Sequence, residues 1–288
     1  MAYFIHLAIL CAIYAILGLS LNLVVGYTGL LSVAQAAFYG LGAYVTALLM
    51  LNAGFNFFLA MLIGILVTGL VALAIGLVQS KFSGDYYALA SLGLGVIIYS
   101  VFLNWQDVTQ GPLGLPGIPR PNVFGFTLSD NIWFLLLSIV FALIVYFVSH
   151  LIVNSSFGRT LKAIREDEGA IRVFGYRTLN YKLAIFTIGA MMAAIAGSLY
   201  ASYINYIDPS TFTVNESIFI IAIIILGGLA SLRGSMIGAV FLVLLPEFLR
   251  FVGFPDEIAA QMRQAVYGLL LILLMLYRPQ GLVGEYKL

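Results

Sequence analysis

Few side chains in this sequence could do chemistry, and those few stand at the edges of apolar segments. Glu216 and Glu247 are the carboxylates nearest to an apolar run. A proton- or ion-driven carrier needs at least one such group inside the membrane. Glu216 begins one run, and Glu247 lies near the end of the next, three residues before Arg250. We interpret both as boundary carboxylates that stay solvated or ion-paired.

The sequence contains no recognisable catalytic or metal-binding pattern. His6 and His150 lie far apart, and the single cysteine, Cys11, allows neither an intramolecular disulfide nor a cysteine-based metal cluster. The patterns G-x-x-x-x-G-K-[ST], H-E-x-x-H and G-x-S-x-G do not occur. We therefore expect no enzyme, no cofactor, no metal site and no ATP binding through a P-loop.

Composition places the chain in a membrane. Of its 288 residues, 62% are hydrophobic and 9% are charged, whereas a soluble domain carries about 25% charged residues. The mean hydropathy is +1.08. A net charge of +1 excludes a nucleic-acid-binding domain built on a basic face. The chain is predicted to be an integral membrane protein.

Apolar runs long enough to cross a bilayer recur along the chain, and the first charged side chain is Lys81. A helical span needs about 20 residues, and the alternating strands of a membrane barrel are absent. The predicted fold is therefore all-α and polytopic. We predict about nine transmembrane helices (eight to ten), namely Phe4–Val25, Leu31–Leu51, Phe57–Val78, Tyr86–Trp105, Ile132–Ile152, Leu183–Asn205, Ser217–Leu232, Gly234–Phe251 and Gln264–Tyr277. The two segments beside Arg233 are short, so a broken or re-entrant pair is an alternative there.

Basic residues predict the orientation. Six of them fall between Asn154 and Lys182, and the positive-inside rule puts that segment in the cytoplasm. An odd count of nine spans then gives an outside N-terminus and a cytoplasmic C-terminus. It also places Lys81, Arg233, Arg278 and Lys287 inside, and Asp107, Asp130, Asp208, Asp256 and Glu257 outside.

The charged segment, residues 154–182, predicts a short helix that cannot span. Ser155 or Ser156 can cap its start, and Gly175 is the expected end. Leu161, Ile164 and Phe174 belong to an incomplete apolar stripe, which suits docking on another protein. The alternative is a solvated loop whose basic side chains only fix the topology.

Two interruptions in the apolar runs, Gly26–Ser32 and Gly227–Gly234, predict broken helices, whose free backbone groups can face a polar solute. The candidate residues for a path through the membrane are Asn22, Gly26, Tyr27, Gly29, Ser32, Gln35, Gly227 and Gly228. Gly189 and Gly197, spaced by multiples of four residues, indicate close helix packing instead.

Four ordered stretches resemble the permeases of ABC importers, most closely those of the branched-chain amino acid family. They are Gly158–Glu168 with Ala170 and Gly175, which resembles the coupling segment, Leu21–Ser32 continued through Gly40–Tyr44, Leu226–Gly234 and Arg278–Gly284. The resemblance runs from about Ala15 to Gly284. Tyr86–Ala90 and Thr109–Pro119 are similar to the M-type subunit of that family.

The resemblance implies a permease subunit of an ATP-driven importer for branched-chain amino acids in the inner membrane. Its implied partners are a homologous H-type permease, two cytoplasmic ABC ATPase subunits and an external substrate-binding protein. The implied ATPase-coupling residues are Arg159, Lys162, Arg165, Glu166, Asp167, Glu168, Ala170 and Gly175. A permease for urea, short amides or other neutral amino acids is one alternative, and a self-contained secondary carrier is another.

The resemblance also gives a role to the Gly/Pro-rich loop, residues 106–131, which the orientation places outside. Thr109, Gln110 and Gly111 are candidates for an outer gate or for the dock of the binding protein. The alternative is a rigid connector, since Pro112, Pro116, Pro119 and Pro121 cannot continue a helix. We treat residues 1–288 as one transmembrane domain that contains both segments.

Overall fold

The computed structural model describes residues 2–82, 84–123, 126–127, 130–251, 266, 268–269, 272–273, 276 and 280–283. Helices make up most of this part, which confirms the predicted all-α polytopic class. The helices are α1 (Ala2–Thr28), α2 (Gln35–Asn52), α3 (Phe57–Gln79), α4 (Asp85–Asn104), α5 (Gln106–Thr109), α6 (Asn131–Asn154), α7 (Ser156–Glu166), α8 (Glu168–Val173), α9 (Thr178–Ile204), α10 (Val214–Gly227) and α11 (Leu232–Phe251). Four two-residue strands accompany them: β1 (Leu115–Pro116), β2 (Asn122–Val123), β3 (Phe126–Thr127) and β4 (Tyr206–Ile207).

Five of the described helices, α1, α3, α4, α6 and α9, are long and apolar enough to cross a membrane. Each coincides with a predicted span to within about five residues. Helix α10 is apolar but has only 14 residues, whereas α11 has 20 residues and includes Arg233, so only the first of the two segments beside Arg233 is short. The last predicted span, Gln264–Tyr277, falls largely outside the described residues, and the count of nine stays a prediction.

Helix α1 forms the centre of the bundle. It packs against α6, α9, α10 and α11, and 78% of its most apolar window is buried, against 33% for α3, 22% for α4 and 28% for α6. The peripheral helices expose large apolar side chains, among them Leu70, Leu89 and Phe147. Such a surface suits lipid or a partner helix, because water would disfavour it.

Glycines set the distance between α9 and its neighbours. A Cβ at Gly197 would stand 2.1 Å from the Tyr39 carbonyl oxygen on α2, and a Cβ at Gly189 would stand 2.7 Å from a Val24 methyl group on α1. On α2, a Cβ at Gly42 would reach 2.3 Å from the Ala194 Cα. The two predicted glycine positions therefore allow backbone-to-backbone approach, as small residues do between membrane helices.

The charged segment contains two short helices, so the prediction of one helix was wrong. Ser155 caps α7, its Oγ accepting a hydrogen bond from the Gly158 amide at 3.2 Å. Asp167 then adopts an extended backbone, and its Oδ1 accepts a hydrogen bond from the Ala170 amide at 3.0 Å. Asp167 thus serves as the N-cap of a new helix, α8, which a short aspartate favours over continuing the first helix.

The Gly/Pro-rich loop is fastened to the segment that follows α9. Strand β1 pairs antiparallel with β4, with Leu115 opposite Ile207. Asn205, in the left-handed region with φ 61°, donates from Nδ2 to the Ile118 carbonyl at 2.9 Å. Its own carbonyl accepts from the amides of Gly117 and Ile118 at 3.0 and 3.2 Å. These contacts fasten the loop to the segment after α9, and its role as gate, dock or connector stays a prediction.

Candidate functional site

The turn between α10 and α11, residues 228–231, is built around one buried amide of α1. Asn22 is fully buried, and its Nδ2 donates to the Ser235 Oγ at 2.6 Å and to the Ser231 carbonyl at 3.0 Å. Its Oδ1 accepts from the Ala230 amide at 3.0 Å. The nitrogen and the oxygen of the Asn22 amide thus both have hydrogen-bond partners. These partners matter because a buried polar group without one is costly. We call this arrangement the α10–α11 junction.

Close backbone packing surrounds the junction. A Cβ at Gly26 would fall 1.9 Å from the Asn22 Oδ1 and 2.6 Å from the Ala230 nitrogen. A Cβ at Gly227 would fall 2.1 Å from the Gly234 carbonyl oxygen. Gly228, with φ 116°, has a backbone conformation that side chains disfavour. Four path candidates, Asn22, Gly26, Gly227 and Gly228, are therefore brought together, and the contacts they make are structural.

The tail stretch that resembles the family ending packs on the same junction. The amides of Leu282 and Val283 donate to the carbonyls of Leu226 and Gly227 at 2.9 and 3.0 Å. Gly281 is buried there, and its ideal Cβ would fall 2.7 Å from the Gly228 Cα. Two motifs far apart in sequence thus form one packed unit.

The other four path candidates lie around the end of α1 and the start of α2. Gln35 is buried and donates from Nε2 to the Ser20 Oγ at 2.6 Å. The buried Ser32 hydroxyl has no hydrogen-bond partner within the described part of the chain. Gly29 ends α1 with φ 72°, and Tyr27 is buried. Their role in a path stays a prediction, with Ser32 as the position that has an unused polar atom.

Helix α7 is fixed to this end of α1. Leu161 and Ile164 are buried against the bundle. The Lys162 Nζ lies 5.6 Å from the centre of the Tyr27 ring, a cation–π contact. Arg165 donates from Nη1 to the Gly26 carbonyl. Because Gly26 also adjoins Asn22, the contacts run from the charged segment through α1 to the α10–α11 junction.

Helix α8 is braced to α9 through one carboxylate. The Glu168 oxygens accept hydrogen bonds from Arg172 Nη2 at 2.7 Å, Lys182 Nζ at 2.5 Å and Thr178 Oγ1 at 2.9 Å. Burial alone would raise the pKa of Glu168, but the bonds from Lys182, Arg172 and Thr178 outweigh it, so the pKa lies below its ordinary value. This carboxylate therefore stays ionised as a structural brace.

The remaining coupling candidates of the charged segment face outward. Arg159, Glu166, Asp167, Ala170 and Gly175 are exposed. Sequence reasoning missed the exposed apolar tip of this segment, where Val173 is 87% exposed, Phe174 76% and Tyr176 47%. Phe174 does not share a buried face with Leu161 and Ile164 as the predicted stripe required, because the break at Asp167 reorients α8. The apolar residues on both sides of Gly175 were the available signal.

The three candidates in the Gly/Pro-rich loop form a tight turn. The buried Thr109 hydroxyl donates towards the Phe102 and Trp105 carbonyls at 2.7 and 2.8 Å. Gln110 and Gly111 both have positive φ, 58° and 54°. Gly111 is buried, while Gln110 is exposed. Only Gln110 of the three therefore offers its side chain to a partner.

Glu216 is bound by one side chain, and its interpretation as a solvated boundary carboxylate stays a prediction. It is half-buried and accepts a hydrogen bond from the Tyr14 hydroxyl at 2.6 Å. No cation pairs with it in the part of the chain that the structure describes. Tyr14 thus holds one carboxylate oxygen where α1 packs against α10. Glu247 lies half-buried in α11.

Together the bundle and its charged segment define a class: multi-pass, all-helical membrane proteins with a folded extramembrane element. The sequence profile described as branched-chain amino acid transport system / permease component matches residues 3–275. The chain belongs to this family of permeases.

Individual relatives agree with the family. The chain is 34% identical to the high-affinity branched-chain amino acid transport system permease protein LivM of Escherichia coli K12, over 97% of this chain and 69% of the relative. It is 24% identical to a probable LivM of Methanocaldococcus jannaschii, over 95% and 91%. It is 28% identical to LivH of E. coli K12, over 94% and 91%. The higher identity to the E. coli LivM than to its LivH supports the M-type resemblance. No solved structure matches the chain.

Proposed function

We propose that the chain is the M-type permease subunit of an ATP-driven importer for branched-chain amino acids. It provides part of the path through the inner membrane and couples that path to a separate ATPase. The family and the names of the LivM and LivH relatives support this cargo. Because this sequence contains no P-loop, we assign ATP hydrolysis to a separate ATPase subunit.

The charged segment is the observation that carries the coupling role. Its inner side is locked to α1 by Arg165 and Lys162, and α8 is braced to α9 by Glu168. Its tip exposes Val173 and Phe174. An exposed aromatic side chain at the end of a helix that is braced to the bundle is a typical anchor for a partner protein. A force applied at the tip would pass from α8 to α9 through Glu168 and from α7 to α1 through Arg165 and Lys162.

The proposed assembly pairs this chain with an H-type permease, two cytoplasmic ABC ATPases and an external binding protein. The basic charged segment lies in the cytoplasm, the N-terminus outside and the C-terminus inside. Gln110, as the exposed member of its turn, is the side chain we assign to the binding-protein dock. Alternating access follows from rocking of α1 with the α10–α11 junction.

The test is a substitution of Phe174 by glutamate in the native operon context. We expect roughly tenfold or more loss of ATP-dependent leucine uptake in proteoliposomes, together with loss of the co-purifying ATPase. Asn180→Ala is the matched control, because Asn180 is exposed on the neighbouring turn of the same segment. It should leave both measurements unchanged.

Two outcomes would overturn the proposal. Uptake by the purified chain without ATPase and ATP would indicate a secondary carrier. If the protein takes up urea or acetamide, and leucine, isoleucine and valine do not inhibit that uptake, the proposed cargo is wrong. The permease role would still hold.

A further inference from the structure

A basic cavity of about 310 Å³ lies where the end of α3, the start of α4, α8 and the first turns of α9 meet. Lys81, Arg172 and Lys182 contribute three positive charges to its lining, and Glu168 contributes one negative charge. The lining therefore carries a net charge of two positives. None of the path candidates at the α10–α11 junction borders this cavity.

The single carboxylate of the cavity is already engaged. Glu168 makes ion pairs with Arg172 and Lys182 at 2.7 and 2.5 Å. Lys81 is exposed and has no carboxylate partner among the described residues. The positive charge of Lys81 is not neutralised by a carboxylate of the described residues. The cavity therefore favours an anionic ligand.

An apolar surface adjoins the basic lining. Phe82 and Leu179 line the cavity and are 44% and 43% exposed. Exposed apolar side chains continue on neighbouring turns, with Val78 at 56% on α3 and Leu89 at 64% on α4. A free phosphate would use only the cations. A molecule with an anionic head and apolar chains would use both parts.

We propose that this cavity binds the phosphate headgroup of an anionic phospholipid, whose acyl chains lie along the exposed faces of α3 and α4. Lys81 supplies most of the preference for an anionic headgroup, because Arg172 and Lys182 already form ion pairs with Glu168. Basic pockets between membrane helices at the cytoplasmic surface bind such headgroups. The bound lipid would join α3 and α4 to the α8 brace. The inference is independent of the cargo that the permease carries.

Native mass spectrometry of the delipidated full-length protein in a non-ionic detergent tests the site. The probes are phosphatidylglycerol, phosphatidylcholine and glycerol 3-phosphate. We expect tighter binding of phosphatidylglycerol than of phosphatidylcholine, and about fivefold weaker phosphatidylglycerol binding in Lys81→Gln. Arg159→Gln is the matched control, because Arg159 is an exposed cation of the charged segment outside the cavity lining. It should bind phosphatidylglycerol as the unmodified chain does.

Three results would overturn the proposal. These are equal affinity for the two lipids, an unchanged phosphatidylglycerol affinity in Lys81→Gln, and displacement of the lipid by glycerol 3-phosphate at comparable concentration. The last result would indicate a small-anion site. Without added lipid, Lys81→Gln is expected to unfold at the same temperature as the unmodified chain. This measurement separates the loss of a ligand from damage to the fold.

Discussion

At the scale of single residues, Asn22 does the most to define the inner geometry of the bundle. Its amide joins α1 to Ala230, Ser231 and Ser235, more than 200 positions away in the chain. Such an amide stabilises one arrangement of helices over others, because shifting the helices would leave buried donors and acceptors unpaired. Close packing at Gly26 leaves little freedom for any other side chain there.

Replacing Asn22 by alanine is expected to lower the free energy of unfolding by about 1–3 kcal/mol, since it leaves the Ala230 amide without its partner and removes the bonds to the Ser235 hydroxyl and the Ser231 carbonyl. Thermal unfolding in detergent measures the change. Asn104→Ala is the control, because Asn104 is exposed and, among the described residues, its side chain bonds only to the Ser100 carbonyl of its own helix. Equal stability of the two variants would contradict the junction described for Asn22.

Glu168 gives a prediction about pH. Its folded-state pKa is lowered, so its stabilising effect is complete above the unfolded-state pKa of about 4.3 and is lost as the pH falls through the folded-state pKa. Glu168→Gln should be less stable than the unmodified chain by about 1 kcal/mol at pH 7, and the difference should shrink below about pH 4. Melting curves between pH 7 and pH 3 measure it. Glu166→Gln, at an exposed site, should show no such trend.

At the scale of the elements, the close approach of α9 to α2 depends on glycines, which have no side chain to separate the two helices. Gly197→Ala would place a Cβ 2.1 Å from the Tyr39 carbonyl oxygen, so the two helices must separate, at a cost of about 1–3 kcal/mol. Gly93→Ala on α4 meets nothing within 4 Å and should be neutral or stabilising by up to about 1 kcal/mol. Thermal unfolding of this pair distinguishes packing from helix propensity. Similar losses in both variants would refute the packing explanation.

Hydropathy predicted the existence of the long helices well, because an apolar run in lipid must satisfy its backbone as a helix. Helix α3 was predicted as Phe57–Val78 and runs from Phe57 to Gln79. Helix α9 begins at Thr178, before the predicted Leu183, since its first turns are polar and lie outside the apolar run. A hydropathy pattern cannot predict such polar extensions of a helix.

The details of the candidate sites could be predicted only in part. The interruption at Gly227–Gly234 was visible in the sequence, because glycine clusters break apolar runs. The one predicted at Gly26–Ser32 begins later than expected, since α1 continues to Thr28. The bonds that Asn22 makes across the bundle were not, since they join residues more than 200 positions apart. The break at Asp167 depends on one side chain capping the Ala170 amide, a local competition that the apolar pattern does not record.

At the scale of the whole molecule, the orientation yields a direct test. In a Cys11→Ser background, which removes the only native cysteine, we expect Gln110→Cys to react with a membrane-impermeant maleimide in intact cells. Asn180→Cys should react only after permeabilisation. Both positions are exposed. The reverse labelling pattern would show that the charged segment is outside and would remove the basis for ATPase coupling.

The central position of α1 also has a consequence for biogenesis. The partners of Asn22 lie 206 to 213 residues further along the chain, so they leave the ribosome roughly 10–40 s after Asn22 at ordinary rates of synthesis. Meanwhile α1, with a hydropathy of 2.4 over its most apolar window, resides in the bilayer with its amide unmatched. Insertion of α1 and formation of the Asn22 hydrogen bonds are therefore separate events. The protein reaches its native bundle only when its last third has been translated.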